Sequence, residues 1–100
     1  MSMPLSASQK RYLRGLAHPL RPVVLIGGKG LTDGVLAELD LALDRHELVK
    51  VRISGEDRTS RDAIIDALVT RSDAQLVQRI GNIACLYRRH PEASQIPLPR

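Results

Sequence analysis

Hydrophobic positions recur along the chain with two periods, and their succession predicts seven elements. Ser6-Ala7-Ser8-Gln9 puts serine at an N-cap position and glutamine three residues on, a capping box that predicts a helix starting near Ser6. Tyr12, Leu13 and Leu16 supply its apolar stripe. Ala17-His18-Pro19 ends it, because proline disfavours helical geometry in the residue before it. Pro22-Val23-Val24-Leu25-Ile26 is a β-branched run that predicts a strand buried on both faces, its proline at the start. After Gly27-Gly28-Lys29-Gly30, residues 32–46 place Val35, Leu36, Leu39, Ala42 and Leu43 at helical spacing. The next run alternates, with Val49, Val51 and Ile53 inward and Lys50 and Arg52 outward, a strand with one open basic face.

Ser54-Gly55-Glu56-Asp57 reads as a turn, and residues 58–71 as a third helix with Ile64, Ala67 and Leu68 inward. Residues 75–80 and 83–89 flank Gly81-Asn82, a two-residue hairpin signal. With Ile80 opposite Ile83, the register pairs Gln78 with Cys85 and Leu76 with Tyr87, and Arg79 and Arg88 share the other face. Residues 91–100 carry three prolines and are expected to lie extended over the body. The order αβαβαββ has two strand–helix–strand crossovers, which imply parallel pairings, and one antiparallel hairpin. It predicts an α/β fold, a single compact domain over residues 1–100 with a mixed four-stranded sheet.

A chain of 100 residues can bury one core and little more. No stretch longer than nine residues lacks a charge, far short of the about 20 apolar residues of a membrane-spanning helix. The start, Met1-Ser2-Met3-Pro4-Leu5, carries no secretory pattern, the solitary Cys85 has no internal partner, and no Cys/His cluster has zinc-ligand spacing. The expectation is a cytoplasmic protein with no metal, no cofactor and no membrane contact. Charge changes the picture more than size does. The net charge is +4, but residues 1–30 hold Lys10, Arg11, Arg14, Arg21 and Lys29 with no acid, while residues 31–73 carry net −4. One basic end is the footprint of a polyanion binder.

Gly27-Gly28-Lys29-Gly30 sits between a strand and a helix. There a glycine backbone can approach a phosphate, and the N-terminus of the following helix points the same way. It is not a Walker A loop, since Lys29 precedes the last glycine and no Ser or Thr follows it, and a dinucleotide fingerprint would need a third glycine where Asp33 stands. A G-x-x-G loop that clamps a nucleic-acid backbone fits better, although a tight strand-to-helix turn uses the same letters. Together with Lys10, Arg11, Arg14 and Arg21 it makes the candidate site. Lys50, Arg52, Arg79 and Arg88 form a candidate secondary basic surface. Lys29→Glu, or a bulky residue at Gly30, is expected to weaken binding without unfolding the domain.

The remaining chemistry is sparse. His18, His46 and His90 fall at helix ends and at the tail, without a carboxylate or nucleophile at readable spacing, so caps or solvent contacts are expected of them. Cys85 reads as a small core residue, and Asp40 with Asp44 as a solvated helix face. Two tyrosines, with no Trp or Phe, argue against a surface that stacks bases on aromatics and favour a reader of RNA shape and phosphates. Two other readings stay open: an enzyme using the loop for a nucleotide phosphate, and a protein-interaction module using the acidic helices.

Several long, ordered segments resemble the YhbY family, the stand-alone bacterial form of the CRM domain (chloroplast RNA splicing and ribosome maturation). They are Leu13-Arg14-Gly15-Leu16-Ala17-His18-Pro19-Leu20, Pro22-Val23-Val24-Leu25-Ile26-Gly27-Gly28-Lys29-Gly30-Leu31-Thr32, Val35-Leu36-Ala37-Glu38, His46-Glu47-Leu48-Val49-Lys50-Val51 and Leu98-Pro99-Arg100. The resemblance implies a fold similar to the C-terminal domain of translation initiation factor three. It also implies a non-enzymatic RNA-binding domain, with rRNA of the precursor large ribosomal subunit as partner and no DNA. Gly27, Gly28, Lys29 and Gly30 match the family's loop, and Lys10, Arg11 and Arg14 its basic first helix. Glu56-Asp57-Arg58-Thr59-Ser60-Arg61 departs from the family in being more basic.

Overall fold

The computed structural model describes residues 4–54 and 57–99, so Gly55 and Glu56 of the expected turn, and Arg100, lie outside the described residues. The elements follow in the expected order: α1 (Ala7–Ala17), β1 (Pro22–Ile26), α2 (Asp33–His46), β2 (Leu48–Ile53), α3 (Arg58–Ser72), β3 (Gln75–Ile80) and β4 (Ile83–Tyr87). Both halves of the capping box form at Ser6 and Gln9, which fixes where α1 begins. The sheet order is β1-β2-β4-β3, mixed as expected. Only β1 and β2 pair in parallel. The second crossover yields no direct pair, because β4 inserts between β2 and β3 and is antiparallel to both. Among the described residues no helix is long and apolar enough to cross a membrane.

The two sheet faces are covered unequally. α2 and α3 press Leu39, Leu43, Ile65 and Leu68 onto Val24, Ile26, Val49, Val51, Ile53, Ala84 and Leu86. On α3 the buried line runs through Ile65 and Leu68, with Ile64 and Ala67 at its margin. α1 crosses the other face and covers only Leu48, Val77, Cys85 and Tyr87, using Leu13 and Ala17 with help from Leu5, Ile96 and Leu98. Tyr12 and Leu16, expected in its stripe, stay on the surface. β1 is therefore not buried on both faces. It is an edge strand beyond the reach of α1, and Val23 and Leu25 are 50% and 63% exposed.

The hairpin register holds as far as Gln78 opposite Cys85 and then shifts, so that Leu76 pairs with Leu86 and Gln75 with Tyr87. The extra residue at this bulge is Val77, which thereby stays with Cys85 and Tyr87 under α1. Burial pushes the Cys85 thiol up to about 11 against the smaller pull of Lys50, so it is an uncharged core side chain at neutral pH.

Arg88 and Glu47 hold the C-terminal part of the chain in place. Arg88 donates to the Asp40 carboxylate (2.8 Å), the Asp44 carboxylate (3.0 Å) and the Ser72 carbonyl (2.8 Å), tying the end of β4 to α2 and α3. Asp40 and Asp44 are thus a clamp as well as a solvated face, their side chains still 49% and 61% exposed. Arg88→Met should lower the thermal midpoint by about 5 °C, the equivalent of roughly 1 kcal/mol in a domain this size, as scanning calorimetry would read. Glu47 is 1% exposed, with φ 61°. Its carboxylate accepts from the amides of His90 (3.0 Å), Gln95 and Ile96 (3.2 Å) and from the Ser94 hydroxyl (3.0 Å), so residues 90–96 are strapped around one buried acid.

Candidate nucleic-acid interface

The glycine loop leaves β1 at the end where the sheet finishes. The Gly30 amide donates to the Gly27 carbonyl at 3.0 Å and closes a turn with Gly28 and Lys29 exposed at its tip. Gly30 has φ 72°, a conformation that strains any side chain, so a bulky residue there would disturb the turn itself. Nothing lies within 4 Å of where a Cβ would sit on Gly28, so only a bound molecule would meet it. The N-terminus of α2 follows the loop, but it is already occupied. The Thr32 hydroxyl caps the Val35 amide at 3.2 Å, and Asp33 stands in the first turn with Arg71 3.5 Å away. The loop's attraction for anions therefore rests on its own amides and Lys29.

α1 packs over the Leu48–Tyr87 end of the sheet and turns its cations to one flank. At about 100° per residue, Lys10, Arg14 and Arg11 lie within an arc of about 100° on one flank of the buried Leu13–Ala17 line, with Gln9 and Leu16 on the opposite flank. The tail packs along the Gln9 and Leu16 flank. The Gln9 side-chain amide donates to the Pro99 carbonyl at 3.0 Å, and Leu16 and Ile96 line one groove of about 390 Å³. Since Glu47 fixes that tail at the start of β2, the basic flank faces the other way, toward the end of the sheet that carries the glycine loop.

The candidate secondary surface comes apart. The Lys50 ammonium donates to the Leu20 carbonyl (3.1 Å) and the His18 carbonyl (3.5 Å), so it caps the C-terminus of α1. Arg79 lies on the α2–α3 side of the sheet and pairs with Asp62, and Arg88 is the clamp described above. The bulge and the end of β4 put these two arginines where acids of α2 and α3 meet them. Arg52 alone of the four is exposed and without an ion pair among the described residues.

The described acids are sorted by side. Asp33, Glu38, Asp40, Asp44, Asp62 and Asp66 lie on α2 or α3, Asp57 and Asp73 at the caps of α3, Glu92 in the tail, and Glu47 is buried. On that side Arg71, Arg79 and Arg88 face acids. Lys10, Arg11, Arg14, Arg21, Lys29 and Arg52 make no ion pair among the described residues, and neither do Arg45, Arg58 and Arg89. Arg21, just before β1, lines the groove of Leu16, Leu48 and Ile96 and not the loop end. Of the histidines, His18 is the C-cap of α1, His46 is exposed at the end of α2, and His90 accepts from the Glu92 and Ala93 amides.

Sequence reasoning missed Glu47. Its one visible signal is an acid at a helix C-cap where glycine is the usual residue.

Comparisons with known proteins agree on what the chain is similar to. The CRS1/YhbY (CRM) domain profile matches residues 5–88. An RNA-binding protein of Haemophilus influenzae is 54% identical over 96 residues, which is 96% of each chain. A protein of Bacillus subtilis named a probable RNA-binding protein is 39% identical, covering 95% of this chain and 99% of its own. The solution structure of a Staphylococcus aureus protein described as a candidate RNA-binding protein superposes with a TM-score of 0.82 at 33% identity, covering 96% of this chain and all of that one.

Proposed function

Since the chain belongs to the CRS1/YhbY (CRM) domain family, we propose that it is a non-enzymatic RNA-binding protein of the cytoplasm that holds rRNA on precursor large ribosomal subunits. The observation that carries this reading is the sorting of charge. Lys10, Arg11, Arg14, Lys29 and Arg52, on α1, the glycine loop and the open sheet face, make no ion pair among the described residues, while the described acids lie on the α2–α3 side, in the tail or buried, and Arg71, Arg79 and Arg88 are paired there. Unanswered lysines and arginines release counterions when they meet phosphates, which supplies affinity for a polyanion.

The glycine turn and the basic flank of α1 take the RNA backbone between them. The turn offers exposed amides without side chains to keep a phosphate away, Lys29 adds a mobile cation, and the arginines of α1 add forked donors. Binding of this kind stabilises one local rRNA fold until later proteins arrive. On the acidic helices, Asp40, Asp44 and Asp62 are engaged by Arg88 and Arg79, which leaves Glu38 and Asp66 as exposed acids without an ion pair among the described residues.

Sedimentation of lysate through a sucrose gradient tests the assignment. The protein should travel with a large-subunit precursor at low salt and be released by high salt or nuclease; sedimentation at the top at both salts would refute the ribosomal assignment. Lys29→Glu and Gly28→Val should each weaken binding to purified rRNA about tenfold without moving the thermal midpoint, because both positions are open to solvent. Unchanged affinity would remove the loop from the interface.

A further inference from the structure

One row of side chains crosses the whole sheet on the face that α1 leaves open. The register sets Leu25 beside Arg52, Arg52 beside Ile83, and Ile83 beside Ile80. Leu25 is 63% and Ile80 67% exposed, Arg52 is exposed and Ile83 half-buried. The row lies at the loop end of the sheet: Leu25 is two residues from Gly27, the Ser54 amide donates to the Ile26 carbonyl (2.8 Å), and the Ile53 amide to the Asn82 carbonyl (2.7 Å). It therefore runs between the basic flank of α1 and the glycine loop. Four strands at about 4.8 Å spacing make it about 14 Å long.

An aliphatic strip of this kind with a cation at its centre is not what phosphate binding needs. A duplex presents phosphates and groove edges, with the apolar faces of its bases stacked away. Only unpaired bases offer flat apolar faces to a sheet surface, and a four-stranded sheet face accommodates about two or three of them. Resting on the RNA-binding reading above, we propose that the row Leu25–Arg52–Ile83–Ile80 seats unpaired bases, so that the ligand is a single-stranded or bulged RNA segment. The backbone runs along the loop and α1, the bases turn onto the aliphatic row, and Arg52 stacks on a base or reaches a phosphate between two bases. The shortage of aromatics does not exclude this, because leucine and isoleucine also bury the face of a base, with less energy per contact.

Charge argues for RNA over a protein on this strip. Arg52 lies within it, Lys29 follows it in the glycine loop and the basic flank of α1 faces it, while the described acids lie on the far side of the sheet, in the tail or buried.

The test is a pair of titrations by fluorescence anisotropy, using a mixed-sequence RNA strand of about ten nucleotides and a blunt duplex of the same length. The proteins are the full chain and its Leu25→Ser/Ile80→Ser variant, both side chains being exposed enough to change without loss of fold. The wild-type chain should prefer the single strand. The variant should lose about tenfold on the strand and nothing on the duplex, with the salt dependence unchanged. Equal losses on both RNAs, no loss on either, or a wild type that prefers the duplex would each overturn the base seat while leaving RNA binding in place; unaltered RNA binding would hand the strip to a protein partner. A wild type that binds neither RNA would overturn the RNA-binding reading and this inference together.

Discussion

Glu47→Ala should lower the thermal midpoint by about 10–25 °C, equivalent to roughly 2–4 kcal/mol, a loss of the size expected for truncating a core leucine. Four donors from the tail converge on this carboxylate. Alanine would leave them unpaired or release the strap to water, and Ile96 and Leu98 would leave the apolar cluster under α1. Two further variants separate the causes. Truncation after residue 89 should cost about as much as Glu47→Ala, and the two should not add, because both remove one interaction set. Glu47→Gly should cost less than Glu47→Ala by about 1 kcal/mol, since glycine relieves a backbone held at φ 61°. Additive losses would mean that the carboxylate and the strap act independently.

Acid should undo the same contribution. Burial alone raises the pKa of Glu47, but the hydrogen bonds from Gln95, His90, Ser94 and Ile96 outweigh it and hold the carboxyl below its ordinary 4.5. A depressed folded value means that the unfolded chain takes up the proton first. The stabilisation is therefore complete above the unfolded value and is lost as pH falls through the folded one. The gap in stability between wild type and Glu47→Ala should be constant near neutrality and close progressively below about pH 4.5.

What could be read from the sequence was what depends on near neighbours. The capping box at Ser6, the Gly81-Asn82 hairpin and the parity of Val49, Val51 and Ile53 are set by contacts within a few residues, and all three appear where expected. The errors come where a residue's surroundings are supplied from far along the chain. Val23 and Leu25 look like buried strand residues, yet their strand is at the sheet edge and α1 stops short of it, facts no local pattern contains. Arg88 looks like a free surface cation until the end of β4 arrives beside α2, 44 residues away from Asp44. Val77 shows the same limit: strict alternation assigns it to one face, and a bulge keeps it on the other. For the candidate site, the cations and glycines were legible as residue types. Which of them stay unpaired is a property of the folded surface.

That distinction yields a large effect on binding. Replacing Lys10, Arg11 and Arg14 together with Glu should weaken RNA binding by about 100- to 1,000-fold at physiological salt and reduce the log–log salt slope by about 2, since each lost phosphate contact removes about 0.7 on a single strand. The fold should survive. These residues lie off the buried Leu13–Ala17 line, and only Arg14, in the last turn of α1, loses a favourable helix-dipole position, costing about 0.3–1 kcal/mol. The matched control is Arg45→Glu/Arg58→Glu/Arg71→Glu, which changes the net charge equally on the α2–α3 side. If the interface is the α1 flank and the loop, the control should bind within about threefold of wild type, the weak long-range effect of net charge through screened solvent. Equal losses in the two triple variants would mean that overall charge, and not this end of the molecule, draws the RNA. A large loss in the first with an unchanged salt slope would mean that α1 acts through the apolar contacts beneath it and not through its phosphate contacts.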